Sequence, residues 1–198
     1  MAGLFKNNYT QQEMSQRELL ESKYKNSTHN LLIVAIFTLI NVVLLIAQSN
    51  TYFLFSASIP YALVDFAMFF CGRYPEEVYY GLADVVFLDN TFFVIAVVLA
   101  ALIILLYFLS WLFAKKNKIG WMIFALVFFA LDTVAMLAYY GVNADMIVDI
   151  VFHAWVLISL VTGISNYYKL KKLPVEVVEE AVEEIEAPVV EVTVETVE

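Results

Sequence analysis

Tyr52 to Gly72 reads YFLFSASIPYALVDFAMFFCG, and how this stretch is placed decides the fold. It is apolar enough to cross a bilayer. Yet Ser56, Ser58, Pro60 and Asp65 interrupt it, so the residues around it must arbitrate. Four other runs have the roughly 20 apolar residues that a spanning helix needs. They are LLIVAIFTLINVVLLIA at 31–47, FFVIAVVLAALIILLYFLSWLFA at 92–114, IGWMIFALVFFALDTVAMLAYY at 119–140 and MIVDIVFHAWVLISLVTGIS at 146–165. Lys and Arg near span ends stay on the cytoplasmic side. The basic clusters are Arg17, Lys23 and Lys25, then Lys115, Lys116 and Lys118, then Lys169, Lys171 and Lys172. With four spans, about 31–48, 92–114, 119–140 and 146–165, all three clusters share one side. With five spans, the middle cluster moves across. The sequence therefore predicts four spans with both termini cytoplasmic, and the 52–72 segment interfacial or re-entrant.

The composition agrees. The chain has 198 residues, is 62% hydrophobic and carries 16% aromatics; its mean hydropathy is +0.78. Soluble domains run at about 45–50% apolar. The expected class is an all-α, multi-pass membrane protein of the cell membrane, a four-helix bundle in contact with the lipid bilayer. The net charge of −9 belongs to the tail: residues 173–198 hold nine Glu and no Lys or Arg, so the other eleven acids balance eleven bases. No basic surface for nucleic acid is present. Cys71 is the single cysteine, which excludes an internal disulfide and any CxxC site.

Outside the spans, Thr10 and Glu13 form a capping box that opens an amphipathic cytoplasmic helix within residues 1–29. The outer region 49–91 reads as a helical cap over the bundle. Pro60 can start its helix, and Gly72 with Pro75 can stop it. Tyr61, Asp65, Tyr79, Tyr80 and Asp84 are the candidate outer surface for a substrate or partner. The acidic tail, 173–198, is expected to be disordered in isolation. Its alternating end could add a strand to a cytoplasmic partner. Ala96 with Ala100, and Ser159 with Gly163, place small residues at the four-residue spacing of close helix contacts. Those contacts lie within the bundle or between copies or partner membrane proteins.

Ionisable residues inside spans default to a functional hypothesis with a named partner. The last two spans fold about position 142.5, so residues whose numbers add to 285 lie at equal depth; Asp132 and His153 do. Each is roughly 15 Å from the turn at 1.5 Å per residue. Asp149 precedes His153 by four residues and shares its helix face. Asn41 of the first span falls at similar depth. The candidate cluster is therefore Asp132, Asp149, His153 and Asn41. Three readings are open: a structural interhelical hydrogen bond, a proton or cation relay, and a catalytic metal with an open position. No motif supports the metal, and no cofactor is called for: only one His lies within a span. Ser56 and Ser58 have no second intramembrane His to serve as a base. Walker-type, G-x-S-x-G and HExxH patterns are absent.

The ending HAWVLISLVTGISNYYKLKKLP, 153–174, is a polar-headed span running into a basic exit. In this and in its span pattern the chain resembles the small uncharacterised four-span membrane proteins of bacteria. The resemblance implies an architecture and no activity. The expected role is a non-enzymatic accessory or regulatory membrane component. The alternatives are a small transporter or ion-coupled protein using Asp132, Asp149 and His153, and then an intramembrane metal-dependent hydrolase.

Overall fold

A computed structural model describes residues 16–82 and 86–173. Five helices follow one another: α1 Gln16–Ile46, α2 Ser58–Phe70, α3 Asn90–Lys115, α4 Ile119–Tyr140 and α5 Ile147–Lys172. No strand occurs among the described residues. α1, α3, α4 and α5 are long and apolar enough to cross a membrane. α2 has 13 residues and spans about 20 Å, too short for a hydrocarbon core of about 30 Å.

The exposed surface explains why this is a membrane bundle. Ile36, Leu39 and Val43 of α1, Val98, Leu102 and Leu105 of α3, Val127, Leu131 and Val134 of α4, and Val151, Ile158 and Val161 of α5 all face outward. In water so continuous an apolar wall would aggregate; in lipid it is solvated. The inward faces hold two apolar clusters. One joins Leu31, Val34, Tyr107, Met122, Phe129, Val156 and Leu160 across the four long helices. The other joins Val42, Val64, Met68, Phe93, Ala96, Ala100 and Ile104 across α1, α2 and α3.

The N-terminal helix and the first span are one continuous element from Gln16, and no break separates them near 29. Ser27 and Thr28 hydroxyls donate to the Lys23 and Tyr24 carbonyls, both at 3.1 Å, so these polar residues sit inside a helix without unpaired donors. Leu20, Tyr24, Ser27, Leu31 and Val34 keep one buried face across the former boundary. Thr10, Glu13, Asp84 and the tail beyond Leu173 lie outside the described residues.

Both small-residue pairs are used inside the chain. Ala96 and Ala100 are buried in the cluster that packs α2 against α3. Gly163 lies against Ser27 and Met122, and the Ser159 hydroxyl accepts from Asn30 Nδ2 at 2.7 Å. Ala96, Ala100 and Gly163 are buried, and Ser159 is half-buried.

We call the end carrying the α4–α5 turn and the α2 excursion the cap end, and the other the terminal end. At the cap end, α2 stops as the sequence predicts. Gly72 adopts φ +64°, the Arg73 amide donates to the Met68 carbonyl at 2.9 Å, and the ring of Phe87 lies 2.9 Å from where a Cβ would stand. Arg73 then stacks over Phe93 at 3.7 Å and donates to Asn90, tying the α2 exit to the start of α3. Asp89 caps α3 by accepting from the Thr91 amide at 2.8 Å and from the Thr91 hydroxyl. Those bonds hold its carboxyl below the usual range, so the cap is present at neutral pH and weakens as pH falls through that range.

Candidate functional site

The chain enters the cap end from α1, turns inward over residues 47–57, and starts α2 inside the bundle. Ser58 sits beside Thr38, Asp132 and His153, not at the rim. Thr38 is eight residues before the last residue of α1, about 12 Å along the helix at 1.5 Å per residue. α2 therefore climbs back from a buried N-terminus.

A buried helix N-terminus leaves its first amides unpaired, and each needs a partner. Ala57, the residue before α2, has no side chain able to cap it. The rest of the bundle supplies the partners. Asp132 of α4 accepts from the Ser58 amide through Oδ2 at 2.9 Å and from the Ile59 amide through Oδ1 at 2.8 Å. The Ala57 amide donates to Thr38 Oγ1 at 2.8 Å, and the Thr38 hydroxyl donates in turn to the Val34 carbonyl at 2.7 Å. Asn41 holds the preceding turn. Its Nδ2 donates to the Phe53 carbonyl at 2.6 Å and to Ser56 Oγ at 2.8 Å, and its Oδ1 accepts from the Phe53 amide at 2.8 Å. Thr38, Asn41, Asp132 and His153 are all 3% exposed or less. The Asp132 carboxyl also lies at the positive end of the α2 dipole.

His153 completes the set. Its Nδ1 lies 2.9 Å from the Asp149 carbonyl oxygen, and a carbonyl only accepts, so Nδ1 carries a proton. Nε2 then faces both Asp132 Oδ2 and Ser58 Oγ, each at 3.4 Å. A neutral ring accepts from the Ser58 hydroxyl; a charged ring donates to Asp132. Phe129 stacks on the ring at 5.0 Å and fixes its plane.

Asp132 and His153 thus meet as their equal depth predicts. Asp149 does not join them through its carboxylate: its backbone carbonyl orients His153. Its side chain lines a cavity of about 170 Å³ with Tyr52, Ser58, Tyr61 and Tyr140. Asn41 serves the turn before α2, not the carboxylate. Ser58, expected to lack a base, does contact the one intramembrane His. Ser58 and Asp132 nonetheless share a single ring nitrogen, and both Asp132 oxygens are engaged by amides. That geometry anchors a helix and does not match a nucleophile relay, in which base and orienting acid use opposite ring nitrogens. Among the described residues no three His, Cys, Asp or Glu side chains gather as a metal would require.

The expected outer surface divides. Tyr61 packs edge-on to Tyr52 at 5.3 Å, and the two rings line both the cavity beside Asp149 and a second of about 400 Å³ that opens near Gln48 and Tyr74. Asp65 accepts from the Tyr74 hydroxyl; burial first, and this bond second, push the Tyr74 phenol above its ordinary range, so it stays a donor. Tyr79 turns inward and donates to the Phe69 carbonyl at 3.0 Å. Tyr80 is 74% exposed.

Asn41→Leu keeps the volume and leaves the Phe53 amide and carbonyl unpaired. A fully buried orphan costs about 1–3 kcal/mol, and Phe53 is 40% exposed, so each of these costs towards the low end. The variant is expected to unfold about 2 kcal/mol more easily in mixed micelles, and a cysteine at Phe53 is expected to label faster. Unchanged labelling would show that Asn41 does not hold this turn.

No family model, no curated protein and no solved structure matches this chain.

Proposed function

We propose that the chain is a non-enzymatic, multi-pass protein of the cell membrane that acts as an accessory or regulatory partner through an anchored re-entrant half-helix. One observation carries this reading. The intramembrane acid, Asp132, has both oxygens on the first turn of α2, so this acid acts as a fixed cap instead of a free reactive group. Both termini and the Lys115–Lys118 turn are cytoplasmic, as the side chosen by the three basic clusters implies. The cap end, with Tyr80 and the α2 exit, faces outside and meets the partner.

Topology is directly testable in intact cells. Cys71, at the cap end, is expected to react with a membrane-impermeant maleimide added outside. In a Cys71→Ser background, Asn117→Cys is expected to react only after the cells are opened. Outside labelling of Asn117→Cys would overturn the four-span arrangement.

A second reading, ion or proton coupling, is favoured by the cavity that brings Asp149 and Ser58 to the cap-end surface. Proteoliposomes under an imposed pH gradient separate the two. The accessory reading expects the protein-loaded vesicles to be as tight as empty ones. A flux abolished by Asp149→Asn would instead establish coupling.

A further inference from the structure

We infer that the terminal end carries a binding site for an anionic phospholipid headgroup, in a cavity between α1, α3 and α5. The cavity has a volume of about 430 Å³, within the range of ligand sites. Lys25, His29, Lys115 and Asn117 form its polar side, and Trp111 and Leu170 its apolar side. This pairing of cations with an apolar wall is what a charged headgroup with attached acyl chains requires.

The walls are fixed, which makes the cavity a built feature. The Tyr24 hydroxyl donates to the Ala114 carbonyl at 2.7 Å and pins α1 to the end of α3. Asn117 sits at φ +59°, and the Lys118 amide returns to the Phe113 carbonyl at 3.0 Å, closing α3 in a tight turn that holds Lys115 and Asn117 at the rim. The Tyr167 hydroxyl donates to the Asn117 carbonyl at 3.2 Å and joins α5 to that turn. Trp111 and Tyr167 also mark this level as the membrane–water interface, where headgroups lie.

The charges are available. Among the described residues, ion pairs join only Arg17 to Glu21 and His153 to Asp132, so Lys25 and Lys115 have no carboxylate partner. Lys115 lies over the Trp111 ring at 5.5 Å, and both residues line the cavity. Glu21 lines the cavity too, but Arg17 meets it at 3.5 Å and offsets its charge. A lipid suits the site better than a soluble anion because the Trp111 and Leu170 wall would otherwise stay uncovered.

The test uses the full chain in detergent, with phosphatidylglycerol, phosphatidylcholine and inorganic phosphate as probes and native mass spectrometry as readout. Phosphatidylglycerol is expected to be retained over phosphatidylcholine. The double variant Lys25→Gln/Lys115→Gln is expected to bind it about 25-fold more weakly, taking about 1 kcal/mol per surface cation. Lys169→Gln/Lys171→Gln removes the same charge at the same end and is expected to leave retention unchanged, with circular dichroism confirming that both variants are folded. Equal retention of the two lipids, or equal loss in both double variants, would overturn the site. Displacement of the lipid by millimolar phosphate would overturn it in favour of a soluble anion. Retention seen only when the nine glutamates of 173–198 are changed to Gln would show that the chain's own tail fills the cavity, which also overturns it.

Discussion

Asp132→Ala is expected to lower stability by about 3–5 kcal/mol, the largest effect of any single substitution in this chain. The change removes the acceptor of two amides, Ser58 and Ile59, and the carboxylate that faces His153. Water reaches these groups poorly, because Asp132, His153 and Ser58 are 1%, 3% and 5% exposed. Asp132→Asn keeps an acceptor for one amide and is expected to lose less. Leu131→Ala is the control: Leu131 is one residue away, 59% exposed, and faces lipid, so its loss should stay within about 1 kcal/mol. Unfolding in mixed micelles reads all three. An Asp132→Ala loss no greater than that of Leu131→Ala would show that the carboxylate does not support the fold.

Gly163→Ala is expected to cost about 2 kcal/mol even though alanine favours helix by about 1 kcal/mol. The added Cβ would stand 2.3 Å from Met122 Cε and 2.6 Å from Ser27 Cβ. The end of Met122 can rotate away. Ser27 Cβ is fixed to α1, so α1 and α5 must separate along their packed length. Ser27→Gly in the same chain removes the obstruction and is expected to restore most of the loss. Gly120→Ala, with open space around its Cβ, should be neutral or stabilising. A Gly163→Ala variant as stable as wild type would contradict the closeness of α1 and α5.

The spans were legible because lipid leaves only one solution for a long apolar run, a helix with all its amides satisfied internally. The Asp132–His153 contact was legible because two helices joined by a short turn share a depth scale. Two features were not. Asp149 lies on the His153 face, yet four-residue spacing does not say whether the side chain or the carbonyl meets the ring; the carbonyl does. Thr38 and Ser58 were missed because each is unremarkable in its own segment: a hydroxyl satisfied within α1 and a small residue before Pro60. Their importance follows from α2 beginning inside the bundle, with Ala57 unable to cap it. The available signal was the combination of an uncapped half-helix with an acid at mid-span. The N-terminal helix and the first span share one buried face, which continues unbroken from Leu20 to Leu45 while the composition shifts from polar to apolar near 30.

Amide exchange at Ser58 and Ile59 tests the anchoring of α2 most directly. First-turn amides of a helix have no partner within it and exchange quickly unless something else holds them. By NMR of the chain in micelles, both amides are expected to exchange slowly in the wild type. In Asp132→Ala they are expected to exchange at least 100-fold faster, with the middle of α3 unchanged. Fast exchange in the wild type, or protection that survives Asp132→Ala, would contradict a re-entrant helix held by Asp132.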